Sequence, residues 1–156
     1  MPDGGIDLPD AALAAQDFVI AGVHSHFKMT RAEMTERIVK AMRNPNVDII
    51  SHPTGRILKR RDEYEIDFDA ILRVAKAGKK ILEINAVPDR LDLNDVNIMK
   101  CVKAGVKMIV NTDAHQTDQL ADLRFGAAQA RRGWAQAEDI VNTLSARDLL
   151  RLLKTA

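Results

Sequence analysis

Three of the four histidines in this sequence, His24, His52 and His115, stand where a short apolar run gives way to polar residues, and Asn85 and Asp113 occupy similar places. A lone histidine so placed is more often a satisfied core or loop residue. Three of them together with an aspartate suggest a shared site. Imidazole nitrogens combined with a carboxylate suit zinc, manganese or iron, whereas magnesium and calcium sites are rich in oxygen. Such an ion lowers the pKa of bound water toward ~7, and two ions ~4 Å apart hold both the attacking and the leaving oxygen of a phosphoester. Hydrolysis is therefore the chemistry these donors point to.

Smaller choices follow from spacing. In Asp113-Ala-His115 the two side chains would share a face if the strand continued. In His24-Ser25-His26, His24 is read as the ligand and His26, just ahead of Phe-Lys-Met, as a support or substrate contact. Arg56, Lys59 and Arg60 follow His52, and an arginine fork matches phosphate oxygens. A solvated loop is the competing reading, because Asp62, Glu63 and Glu65 partly neutralise this segment. Arg131-Arg132-Gly133-Trp134 is a second candidate for phosphate or nucleic-acid contact, with Trp134 itself read as a packing anchor.

The elements that must position these residues alternate. Residues 17–23, 47–50, 80–85 and 108–115 are apolar, β-branched runs too short for helices and are expected to be strands buried on both faces. Between them, Thr30-Arg-Ala-Glu has the form of a capping box and opens a helix that stops before Pro45. A second helix starts near Asp67 or Asp69 and stops at Gly78, and a third runs from Asn94 to Gly105. Residues 75–82 and 102–109 echo each other as helix end, glycine, lysine and strand. The last helix, within 142–154, is amphipathic with Ser145 as its cap and is expected to close the domain. Alternating strands and helices imply a parallel α/β sheet, open or closed into a barrel, whose ligands bind at the carboxyl ends of strands.

Composition sets the outer limits. A chain of 156 residues, 46% hydrophobic and 29% charged, suits one domain. A formal charge of +1 gives no global drive toward nucleic acid or an anionic membrane. The single cysteine, Cys101, excludes an internal disulfide and is read as a core residue. The first ten residues lack a secretory pattern, and no apolar stretch nears the ~20 residues of a membrane span, so a cytoplasmic protein with no membrane partner is expected. No glycine-rich nucleotide loop follows a strand, and no Gly-x-Ser-x-Gly elbow is present.

VHSHF at 23–27, SHPTGRIL at 51–58, LEINAVPDRLDL at 82–93, NTDAH at 111–115 and ARRGW at 130–134 resemble the PHP (polymerase and histidinol phosphatase) domain, in the form found in family X DNA polymerases. The resemblance covers nearly the whole chain. It implies a distorted TIM-like (β/α) barrel with up to three zinc or manganese ions, and 3′-5′ exonuclease or related phosphoesterase activity. By that resemblance His24 and His52 match ligands of one metal, Asp113 of a second and His115 of a third. Arg56 would meet substrate phosphate, placing it with Asp113 and His115 in the catalytic set, and Asn85 would stand on the rim. The family begins with a His-x-His strand, a further histidine and a bridging glutamate, and none of these precedes His24. Residues 1–156 are thus expected to be a partial PHP domain of about four strand-helix units with an incomplete ligand set.

Such a partial barrel would expose two parallel edges, which invite a homodimer. The expected substrate is the 3′ end of DNA. The competing expectations are a stand-alone, histidinol-phosphatase-like enzyme acting on a phosphorylated small molecule, and a catalytically silent, self-associating fragment.

Overall fold

A computed structural model describes residues 1–154. The elements run α1 (Asp10–Ala14), β1 (Ile20–Ala21), α2 (Arg31–Arg43), β2 (Ile49–Ile50), α3 (Phe68–Ala77), β3 (Ile81–Asn85), α4 (Asp95–Ala104), β4 (Met108–Asn111), α5 (Leu123–Arg132) and α6 (Ala146–Lys154), with short 3-10 turns between β4 and α6. The four strands form one parallel sheet in the order β1-β2-β3-β4. The α/β alternation and the parallel sheet are as expected. The first two strands are shorter than their apolar runs, pairing over only two residues each.

Helix ends follow side-chain chemistry. Thr30 Oγ1 accepts from Glu33 N at 3.3 Å while Glu33 Oε2 accepts from Thr30 N at 2.9 Å, which satisfies two first-turn donors of α2. Asp67 accepts from Ala70 N at the start of α3, and Asn94 from Asn97 N at the start of α4. The two glycine stops differ. Gly105 is left-handed (φ 68°), but Gly78 is not, and the left-handed residue after α3 is Lys79 (φ 51°). The sequence echo is therefore not a repeat of one cap geometry.

Period-2 alternation divides the sheet into two faces. Ile50, Leu82, Ile84, Met108 and Val110 belong to the main core with Met34, Ile38 and Met42 of α2, Ile71 and Leu72 of α3 and Ile98 and Cys101 of α4. On the other face Ile49, Ile81 and Ile109 form a smaller apolar layer with Val141, and Leu149, Leu152 and Leu153 of α6 pack on it. Ser145 caps α6 by accepting from Asp148 N. The last helix thus covers the amino-terminal part of this second face. Along β3 the same face continues past Ile81 to Glu83 and Asn85, so it changes from oily to polar toward the strand ends.

The two sheet edges are unequal, which corrects the expectation of two exposed ones. Beside β4, Asn142 imitates a neighbouring strand: its Oδ1 accepts from Val110 N at 2.7 Å and its Nδ2 donates to Val110 O at 2.9 Å. Ile140 also bridges to Met108. The β1 edge is open, with Ile20 43% exposed.

Close seating of α5 depends on Gly126, where an added Cβ would lie 2.4 Å from Val110 Cγ1 and 2.7 Å from Ala86 Cβ. Gly126→Ala should lower stability by about 1–3 kcal/mol in urea denaturation, the usual range for overpacking a tight contact. An unchanged midpoint would mean that α5 can move off the sheet freely.

Candidate functional site

All four strands point the same way, so their carboxyl ends form one rim. His24 lies three residues beyond β1, His52 two beyond β2, Asn85 ends β3, and Asp113 lies two beyond β4. His52 (φ 30°) and Asp113 (φ 49°) both have left-handed backbones. Non-glycine residues hold that conformation at a cost, and such residues concentrate at functional sites. The turn at Asp113 also means that the strand does not continue to His115, so the one-face geometry expected for Asp113 and His115 does not arise.

The rim is built on a buried carboxylate that the sequence reading missed. Glu83 Oε2 accepts from His52 N at 2.7 Å and from Asn85 Nδ2 at 3.2 Å, and Glu83 Oε1 accepts from Asn111 Nδ2 at 3.0 Å. Burial raises its pKa, and the hydrogen bonds from His52, Asn111 and Asn85 work against that rise. Asn85 Nδ2 also donates to Asp113 Oδ2 at 3.3 Å. One carboxylate and one amide therefore join the ends of β2, β3 and β4. A charged residue two positions before Asn85 inside an apolar strand was the available signal.

His24 and His52 meet edge to face, with ring centroids 5.1 Å apart. Gly22 makes room for them, since a Cβ there would lie 2.9 Å from His24 Nε2 and 3.0 Å from His52 Cε1. His52 is buried, and its Nδ1 has no hydrogen-bond partner. Burial, followed by the charge of Arg90, pushes its pKa down to about 4, so the ring is neutral at pH 7 and able to donate a lone pair. Two adjacent imidazoles, one with an orphaned nitrogen, suit a transition ion. A complete site does not form, because among the described residues no three His, Cys, Asp or Glu side chains converge on one ion position.

The other candidates lie apart from this pair. His115 is exposed, with Nδ1 2.8 Å from Asp113 O and its backbone N donating to Gln119 Oε1. His26 is also exposed and reaches only Ser25 Oγ. Lys59 and Arg60 stand in solvent on a loop closed by an Ile57–Arg61 bridge. Arg56 donates through Nε to Arg90 O at 2.8 Å and through Nη2 to Leu91 O, and its Nη1 lies 3.8 Å from Glu63. The segment 86–94 is further held by Asp92, whose carboxylate accepts from Thr54 N and Thr54 Oγ1. Trp134 corrects an expectation. It is 75% exposed rather than a packing anchor, because the chain turns into a left-handed conformation (φ 65°) just after α5.

This fold and rim define an α/β protein with a polar, histidine-bearing site at the carboxyl ends of a parallel sheet. No protein-family model matches the chain. The chain is 42% identical over 154 residues, 99% of its length, to the DNA polymerase/3′-5′ exonuclease PolX of Bacillus subtilis, and spans 27% of that protein. It is 35% identical over 126 residues to a probable phosphatase of Caldicellulosiruptor saccharolyticus and 35% identical over 120 residues to one of Caldicellulosiruptor bescii, spanning 50% and 48% of them. The chain thus covers half or less of each of these relatives, and the similarities agree with the resemblance to part of a PHP domain. No helix among the described residues is long and apolar enough to cross a membrane.

Asp92 supplies a pH test of the loop that borders the rim. Burial is the main cause that raises its pKa to about 7, against an ordinary 3.8. The folded state therefore holds a proton that the unfolded state has released, and this group's contribution to stability falls as pH rises from about 4 to about 7. Asp92→Asn should remove that contribution, making stability at pH 7 relative to pH 5 higher in the variant than in the parent by urea denaturation. An identical pH dependence in both would show that Asp92 is already ionised across this range.

Proposed function

We propose that this chain is part of a metal-dependent phosphoesterase that removes nucleotides from the 3′ end of DNA. The carrying observation is the His24–His52 pair, with His52 braced by Glu83, on a rim shared with Asn85 and Asp113. Similarity along 99% of the chain to a protein named as a 3′-5′ exonuclease supports the DNA reading. A zinc or manganese ion held by His24 and His52 would supply a water of lowered pKa as nucleophile.

The chain's own residues would do three things. The two imidazoles offer ring nitrogens as ligands. Asp113, fixed by Asn85, offers a carboxylate on the adjoining strand end. Glu83, buried, holds the backbone at His52 in place. With the described donors fewer than three, metal binding by this chain alone should be weak, since affinity grows with ligand number and geometry. His115 would contribute to a neighbouring ion only if the exposed 113–116 turn folds inward.

A stand-alone phosphatase acting on small phosphorylated molecules is the second reading, favoured by the chain's spanning about half of the two probable phosphatases. Turnover with manganese on 5′-labelled single-stranded DNA and on phosphorylated metabolites separates the two. Stepwise release of nucleotides is expected, and exclusive hydrolysis of metabolites contradicts the DNA assignment. His24→Ala and His52→Ala should each reduce turnover by roughly tenfold or more, the scale of losing support to a metal site. Full activity in both variants would remove the pair from the chemistry.

A further inference from the structure

The arginine with an unpaired guanidinium nitrogen is not the one that the His-Pro-Thr-Gly-Arg motif suggests. Arg56 spends Nε and Nη2 on the carbonyls of Arg90 and Leu91 and turns Nη1 toward Glu63. Glu63 in turn accepts from Asn94 Nδ2 at 2.6 Å and lies 3.5 Å from Asn97 Nδ2, so Arg56 belongs to a network that fixes the segment 90–97. Leu91 holds a left-handed backbone (φ 46°) beside these contacts. A guanidinium occupied in this way has little left for a ligand.

Arg90 is the residue that this network presents. Its side chain is 23% exposed and its Nε lies 3.6 Å from Asp113 Oδ2. Its Nη1 is shut away from solvent with no hydrogen-bond partner, a vacancy shared among the described side chains only with His52 Nδ1. A charged donor left unpaired and desolvated is costly, by more than a neutral one. Arg90 thus brings a guanidinium to the rim beside Asp113. A planar fork, anchored on one side by a carboxylate and unpaired on the other, suits a tetrahedral oxyanion.

We propose that Arg90 binds a phosphate oxyanion at the rim, and that Arg56 is a positioning residue that holds the 90–91 backbone from which Arg90 reaches it. Only the identification of that anion with substrate or product phosphate rests on the phosphoesterase reading.

The test is calorimetric titration of the full chain with inorganic phosphate, and separately with thymidine 5′-monophosphate, for the parent, Arg90→Gln, Arg90→Lys, Arg56→Gln and the double variant carrying both glutamines. Thermal melts confirm that each is folded. Arg90→Gln should weaken phosphate roughly tenfold or more, with Arg90→Lys recovering part of the loss because it restores charge without the fork. Arg56→Gln should also weaken phosphate, and the double variant should be no weaker than Arg90→Gln, since both act through one guanidinium.

Parent-like phosphate binding in a folded Arg90→Gln overturns the proposal, as do losses that add in the double variant or a parent that does not bind phosphate at all. Failure of the functional reading looks different. Phosphate binding with the expected pattern, in a protein that hydrolyses no phosphoester, would sustain the anion site and reject the enzyme. Hydrolysis with a KM indifferent to Arg90→Gln would do the reverse.

Discussion

The site depends on a buried carboxylate. Glu83 accepts only, so it can take the His52 backbone N–H, the Asn85 amide and the Asn111 amide at once. A glutamine there would turn its own donor against one of three donors. Burial penalises the charge, and three hydrogen bonds offset part of that penalty. What results is a cross-strand tie at the level where backbone pairing of β2 with β3 has ended, since that register stops at Ile50 and Leu82.

From this tie the rim follows by geometry. The backbone bends into left-handed conformations at His52 and Asp113, one bend held from below by Glu83 and the other approached by Asn85 and Arg90. Beneath the polar layer, Ile49, Ile81 and Ile109 with α6 give a dry floor. Above it, burial keeps the His52 ring neutral and thus available as a donor. A strained backbone above a packed floor is the arrangement expected where position matters more than local stability.

Much of this was legible in the sequence, and the limits have physical causes. Strand-helix alternation came from apolar runs and helix caps at Thr30, Asp67 and Asn94, all local signals. His24, His52, Asn85 and Asp113 were found because each ends a run, and parallel strands place such ends together. Glu83 escaped because it sits in the middle of a mainly apolar run rather than at its end, and its partners His52 and Asn111 are set by register rather than by sequence proximity. Arg56 was singled out and Arg90 was not, for a similar reason. A motif shows that an arginine is present but not whether loop carbonyls from residues 34 and 35 positions away already occupy it. Trp134 was misjudged because the turn after α5, not the indole's hydrophobicity, decides where it points.

The claim that His24, His52 and Asn85 share one ion-binding rim is tested most directly by nuclear magnetic resonance during addition of manganese well below one equivalent. The account predicts that the two imidazoles and the Asn85 side-chain amide broaden together, at the same manganese concentration and ahead of His26. Broadening that begins at His26, or that reaches His24 and His52 at separate concentrations, would contradict it.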